Sequence, residues 1–415
     1  MRFLGLIPLH VVELFAGAGG MSLGLRRAGF EIVAAYDSWD VAVDTYRRNI
    51  GLHIKQVDLK DIFAVGLELA SIGPDMIVGG PPCQDFSAVG MRSEGERAAM
   101  TNAFAMLACI ARPQWLLMEN VPLVQRSRCW ADARGMLVRA GYGLTEIKVD
   151  ASYFNVPQRR KRLIVVGRLG EQNGFLNSAL AEAQSLERMS LREILTDHPE
   201  DVALDKTGFF FTRPYRDGRG VFSIDEPTPS IIRTTREKPR PKYLSRPHPA
   251  DPLVATDAAL LTQRQVARIQ GFPDWWDWSG ASVRDIDQMI ANAVPAPLAE
   301  TIGRVILARQ AGASIPALLG RFGQWLRRRG LSKAAVRNVK SRVNRGRRLL
   351  GGRTFQSAML EIAALEEVEE FTKLRIGTRS DVRSALKLYR QWQVETVKRP
   401  SRSDPEIVVP MAMAA

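Results

Sequence analysis

The sequence predicts an α/β protein built on a doubly wound, mostly parallel sheet, with a smaller loop-rich module and a C-terminal helical extension. Three observations lead there. Short apolar runs alternate with helical spacing over the first 170 residues. The alternation then gives way to a stretch rich in proline and arginine, and the last hundred residues carry only helical patterning.

HVVELF, EIVAAYD, DMIVGG, WLLMEN and RLIVVG are short apolar runs bounded by glycine, proline or charge, as buried strands are. MSLGLRRAG, VAVDTYRRN and TNAFAMLACIA between them have the spacing of helices. Residues 1–170 therefore form one domain whose ligands belong at the carboxyl ends of its strands. Residues 171–262 read as a separate loop-rich module. Helical patterning resumes at LTQRQVARIQGF, so 263–312 returns to the first domain. Residues 313–400 form the basic helical extension, and 401–415 a tail.

The chain has 415 residues and a net charge of +14. From Arg304 onward there are 23 Lys and Arg against 9 Asp and Glu, while residues 1–303 balance at 35 of each. The surplus thus points to a polyanionic partner for the C-terminal quarter. Three cysteines, an odd number in a large chain, argue against a disulfide framework, and four scattered histidines argue against a zinc site. No metal is expected. No apolar run approaches the length of a membrane span, and the expected location is the cytoplasm.

ELFAGAGG, Glu13 to Gly20, sets three glycines in a strand-to-helix turn, where a backbone can approach a ligand closely. A dinucleotide, a nucleoside or tight packing would each use such a turn. Asp37 ends the next apolar run, where a carboxylate can accept both hydroxyls of a ribose, and Asp58 follows a third run, suited to an adenine amino group. In GGPPCQDFSAVG the two prolines stiffen a strand end and present Cys83 to the crevice. A thiol needs a positive neighbourhood to ionise near neutral pH, which QRRKR can supply. Glu119, in ENVP, reaches the same edge as a candidate acid.

ELFAGAGG, GGPPCQDFS, MENVP, NVPQRRKR, RQVARIQGFP and NAVP together resemble, in order and spacing, the cytosine-C5 DNA methyltransferase family of bacterial or phage restriction-modification type. The resemblance covers residues 10 to 310. It implies the S-adenosylmethionine-dependent methyltransferase fold, S-adenosyl-L-methionine as cofactor and double-stranded DNA as substrate. It also implies a monomer, with a cognate restriction endonuclease as a possible partner in the same system. Phe15, Gly17, Gly19, Gly20, Asp37, Asp58, Pro82 and Asn292 then belong to the cofactor site. Asp37 stands where the family has glutamate, by its offsets to Ala42, Tyr46 and Asn49, and Ala291 and Ala296 stand where glycine and proline are usual. Cys83 is the nucleophile for C6 of a flipped-out cytosine and Glu119 the donor to N3. Arg160 and Arg162 hold O2 and the neighbouring phosphate. Residues 85–100 form a closing loop. The 171–262 module is the target recognition domain, with Arg213, Arg216, Arg233 and Arg236 as candidates for guanine or phosphate contacts. A transfer-RNA methyltransferase of the same family, and a non-catalytic DNA-binding protein with this fold, are the alternatives.

Overall fold

The computed structural model describes residues 8–82, 99–206, 208–210, 218–311, 320–350, 355 and 357–398. Cys83, Arg213, Arg216 and all but the last two residues of the expected 85–100 loop lie outside them.

The chain opens with β1 (His10–Leu14), α1 (Gly20–Ala28), β2 (Glu31–Asp37), α2 (Asp40–Asn49), β3 (Ile54–Gln56), α3 (Ile62–Ile72) and β4 (Met76–Gly79). It continues through α4 (Ala99–Ala111), β5 (Trp115–Asn120), α5 (Arg128–Arg139), β6 (Tyr142–Asp150), a short β7 (Gln158–Arg159) and β8 (Lys161–Leu169). The main sheet has the order β3-β2-β1-β4-β5-β8-β6, parallel except that β8 runs against both its neighbours. The strand order reverses between β1 and β4. In such a sheet that reversal opens a crevice above the strand ends.

Both faces of the sheet are buried, and the strand residues alternate between two core clusters. Val11, Met76, Val78, Trp115, Leu117, Ile164 and Val166 join one with Met21 and Leu25 of α1. Val12, Ile77, Leu116, Met118, Leu163 and Val165 join the other with Phe104 and Leu107 of α4 and Trp130 of α5. This period of two, apolar on both sides, is why the strands read as continuous apolar runs.

The first cluster also takes in Phe175, Leu176, Ala179 and Leu180, around α6 (Asn177–Glu182). Packing of the sheet domain therefore runs past the expected boundary at 170. Beyond it come α7 (Pro199–Lys206), β9 (Phe209–Phe210), β10 (Val221–Phe222), β11 (Thr228–Pro229), α8 (Pro241–Ser245) and β12 (Ala259–Leu260). Strands β10, β9 and β12 form a small sheet, while β11 pairs with β7. The chain returns through α9 (Gln263–Ile269), α10 (Val283–Asn292) and α11 (Ala296–Gln310). Helix α11 lies directly on α1: a Cβ at Gly24 would sit 2.2 Å from the Ala296 carbonyl oxygen.

The last helices are α12 (Gly320–Arg328), α13 (Lys333–Leu349), α14 (Ala358–Glu366), α15 (Glu369–Thr372) and α16 (Ile376–Lys398). They have their own core, centred on Phe322, Leu326, Val343, Phe371, Leu386 and Tyr389. The bundle is fixed to the sheet domain by Glu182 of α6, which pairs with Arg347 at 2.8 Å and accepts from the Tyr389 hydroxyl.

Candidate active site

The glycine-rich turn leaves β1 with Phe15 and Gly17 both in the left-handed region, at φ 58° and 53°. That conformation is unusual for phenylalanine and marks a backbone held by its surroundings. One holder is Asp37, at the end of β2. Its Oδ2 accepts from the Gly17 N–H at 2.7 Å and its Oδ1 from the Trp39 N–H at 2.8 Å. Burial raises the Asp37 carboxyl above its ordinary range, and those N–H groups pull it back. A carboxylate offers about four lone-pair positions, and the Trp39, Gly17 and Ser38 N–H groups take three of them. A Cβ on Gly17 would meet nothing within 4 Å, whereas one on Gly20 would strike the Val294 carbonyl oxygen at 2.5 Å. The turn is open above Gly17 and closed against the segment before α11 at Gly20. Phe15 itself packs partly against the second core cluster.

Behind the turn lies a buried chain of polar groups. The Ser22 hydroxyl donates to Glu13 and lies 2.8 Å from the Tyr46 hydroxyl, which is 3.2 Å from His53 Nε2. Burial pushes the Glu13 carboxyl up to about 8.

The other half of the crevice is formed by the ends of β4 and β5 and the start of β8. Antiparallel β8 brings its first residues to the edge where the parallel strands end. The carboxylate of Glu119, 8% exposed, therefore meets Arg162, with Arg162 Nε 2.7 Å from Glu119 Oε1. A Cβ on Gly80 would lie 3.5 Å from Glu119 Oε2 and 3.7 Å from Val294. Asn120, next in β5, donates from Nδ2 to the Pro81 carbonyl at 3.2 Å and accepts from the Val121 N–H at 2.8 Å. The turn carrying Pro81 and Pro82 is thus tied to the strand that carries Glu119.

Arg160 goes elsewhere. It is 3% exposed, and its Nη2 donates to the carbonyls of Ala291 and Ala293 at 3.1 and 3.2 Å. Gln158 adds to this brace, donating to Gln270 at 3.0 Å and accepting from the Ile231 N–H at 2.9 Å. Gln270 in turn donates to the Ile290 carbonyl at 2.7 Å. The alternating QRRKR stretch therefore splits its side chains: Gln158 and Arg160 brace the interior, and Arg162 faces Glu119.

Asn292 is exposed and accepts from Gln288 at 2.7 Å, while the turn it begins lies on Gly20 and Gly80. Asp58, two residues past the end of β3, is exposed and accepts from the Lys60 N–H at 3.0 Å. Arg236, a candidate for DNA contact, is instead held by both oxygens of Asp287 at 3.0 and 3.1 Å, whereas Arg233 is exposed. Asn120, Gln158 and Gln270 went unnoticed in the sequence. The two amides of the brace sit within motifs read for their charged or apolar neighbours, and Asn120 follows Glu119 directly.

A doubly wound, mostly parallel sheet with a glycine-rich turn after β1, and with carboxylates at the ends of β2 and β5, has the methyltransferase fold. The chain belongs to the C-5 cytosine-specific DNA methylase family, whose profile it matches over residues 9–308. It is a DNA cytosine-C5 methyltransferase. It is 37% identical to the Type II methyltransferase M.HindV of Haemophilus influenzae over 301 residues, which are 72% of this chain and 96% of that protein. With the Type II methyltransferase M.HgiDI of Herpetosiphon aurantiacus it shares 38% over 293 residues, 70% of this chain and 92% of that one. Its fold is similar to that of the Dnmt2 methyltransferase of S. pombe, with a TM-score of 0.54 and 20% identity, covering 73% of this chain and 99% of the other. The family match stops at residue 308, before the C-terminal bundle.

Proposed function

We propose that the crevice divides the reaction between its two halves: the β1–β3 side holds S-adenosyl-L-methionine and the β4–β5–β8 side activates a flipped-out cytosine. The observation that carries this is the Glu119–Arg162 pair beside Gly80, on the strand that anchors the Pro81 carbonyl, two residues before Cys83 in the sequence. Phe15, Gly17, Gly19 and Gly20 form the turn, which is open above Gly17, and Asp37 is the acceptor for the ribose. Asp58, Pro82 and Asn292 complete this side. When bound, the cofactor supplies an electrophilic methyl group.

On the cytosine side, the Cys83 thiolate forms a bond to C6 while a proton from solvent is relayed through Glu119 to N3. Electron density gathers at C5, which takes the methyl group. Loss of the C5 proton and return of the N3 proton through Glu119 then expel Cys83 as a thiolate and restore the ring. Arg162 orients Glu119 and faces cytosine O2. Arg160, whose guanidinium binds the Ala291 and Ala293 carbonyls, acts by positioning the 291–295 turn. C6 is shielded in a stacked duplex, so the base must leave the helix. The 171–262 module reads the target, and the chain works as a monomer on double-stranded DNA in the bacterial cytoplasm, alongside a cognate endonuclease. No described helix is long and apolar enough to cross a membrane.

The test uses duplex DNA carrying 5-fluorocytosine. The wild-type chain forms an irreversible adduct with it, and Cys83→Ser forms none while still binding cofactor. Adduct formation by Cys83→Ser overturns the nucleophile. Tritium transfer to transfer RNA in preference to duplex DNA would overturn the substrate.

A further inference from the structure

Between residues 301 and 360 the sequence holds 14 Lys and Arg and no Asp or Glu. Five of these cations have carboxylate partners from elsewhere: Arg304 with Glu300, Arg309 with Glu171, Arg329 with Glu395, Arg342 with Asp381 and Arg347 with Glu182. The fold gathers five others at one place. Arg327 of α12 and Lys333, Arg337, Lys340 and Arg348 of α13 line a cleft of about 570 Å³. Ser341 and Asn344 add neutral hydrogen-bonding groups, and no carboxylate lines it. Among the described residues none of the five cations has a carboxylate within ion-pair distance, and Lys340 alone is close enough to Glu182 to influence its ionisation.

The row is a property of helix geometry. Positions 333, 337, 340, 344 and 348 recur at intervals of three and four, which keeps them on one face of α13. Val336, Val339 and Val343 fall on the adjoining face and enter the bundle core. Packing therefore fixes the direction of the cationic face. From Lys333 to Arg348 the helix rises about 22 Å, at ~1.5 Å per residue. A duplex presents one phosphate per strand about every 3.4 Å, so this length faces roughly six phosphates on one strand.

We propose that the α12–α13 cleft is a second DNA site, which grips the phosphate backbone of duplex DNA outside the segment engaged by the catalytic crevice. Its identity as a DNA site rests on the family's substrate; its position does not, because it lies beyond residue 308. Phosphate contacts of this kind carry no base information. The site raises occupancy on long DNA and leaves target choice to the rest of the chain.

The test compares the full-length chain with a variant carrying Arg327→Gln, Lys333→Gln, Arg337→Gln and Arg348→Gln, leaving Lys340 because of its proximity to Glu182. The probe is a duplex of dA·dT pairs, which has no cytosine to occupy the catalytic crevice. The slope of log affinity against log salt is expected to lose about 3.6 in magnitude, at ~0.9 per phosphate contact, so that the fall in affinity between about 50 and 200 mM salt shrinks roughly a hundredfold. Cofactor binding and methyl transfer at saturating short duplex stay unchanged, which separates failure of this site from failure of the catalytic assignment. If the fourfold variant melts early, Arg327→Gln with Arg337→Gln alone is expected to remove about half of that slope. An unchanged slope and affinity in a folded variant overturns the proposal. So does wild-type binding of transfer RNA more tightly than the duplex through the same residues.

Discussion

Asp37 shows how one side chain can serve both the fold and the ligand. It ties the Gly17 and Trp39 N–H groups together and, in the proposed site, also accepts from the cofactor's ribose. Asp37→Ala should weaken S-adenosylmethionine binding by about 1.5 to 3 kcal/mol, the usual size for a hydrogen bond to a charged group. Calorimetry reads this directly, and unchanged affinity would reject the ribose role. Residues at this scale were legible in proportion to their chemical rarity. A carboxylate ending an apolar run, as at Asp37 and Glu119, is visible in one dimension because little else explains it. The Arg160 brace was not, because a guanidinium that binds carbonyls 131 and 133 residues away looks, in sequence, the same as one meant for phosphate.

Among the elements, the five apolar runs became strands and the three helical patterns became helices. Others escaped notice for physical reasons. Strand β6 lies at the sheet edge and carries Thr145, Glu146 and Lys148, where Glu146 receives Trp130 and Arg134 rather than facing an apolar layer. Helix α3, with Phe63 and Leu67 exposed opposite its buried Val65 and Leu69, is apolar all round and shows no stripe. Helix α1 was legible, but not the closeness of α11 upon it. Alanine in a helix interior normally outranks glycine by about 0.5 to 1 kcal/mol. At Gly24 the sign reverses, because the added carbon would lie 2.2 Å from the Ala296 oxygen and 2.7 Å from the Ala299 Cβ. Gly24→Ala is expected to destabilise the protein by at least about 1 to 3 kcal/mol, the usual cost of overpacking. A urea midpoint equal to or above that of wild type would show that the two helices can part at little cost.

For the molecule as a whole, Glu13 makes stability depend on pH. Buried in the fold, its carboxyl keeps its proton up to about 8, whereas its ordinary value is 4.5. Its contribution is complete below 4.5, falls as the unfolded chain alone ionises, and is lost once pH passes about 8. The loss runs at about 1.4 kcal/mol per pH unit. Glu13→Gln should flatten the fall in unfolding free energy between those limits by about one proton, and urea melts across the pH range would show it. A slope identical to wild type would place that titration elsewhere. Changes of pattern in the sequence suggest a sheet domain, a loop-rich module and a helical bundle, but they do not reveal the contacts that join these segments. Each is a polar contact between distant residues, such as Glu182 with Arg347 or Gln158 with Ile231. The second of these joints bears on inheritance. Thr228 and Ile231 lend their backbone to the 157–160 segment that carries Arg160. Recombination between related genes can therefore exchange the loop-rich module as a cassette only where the incoming segment brings a matching 228–231 edge. Crossovers that part this edge from the loop it supports yield chimaeras in which the 157–160 segment loses its partner strand and Gln158 loses the Ile231 N–H.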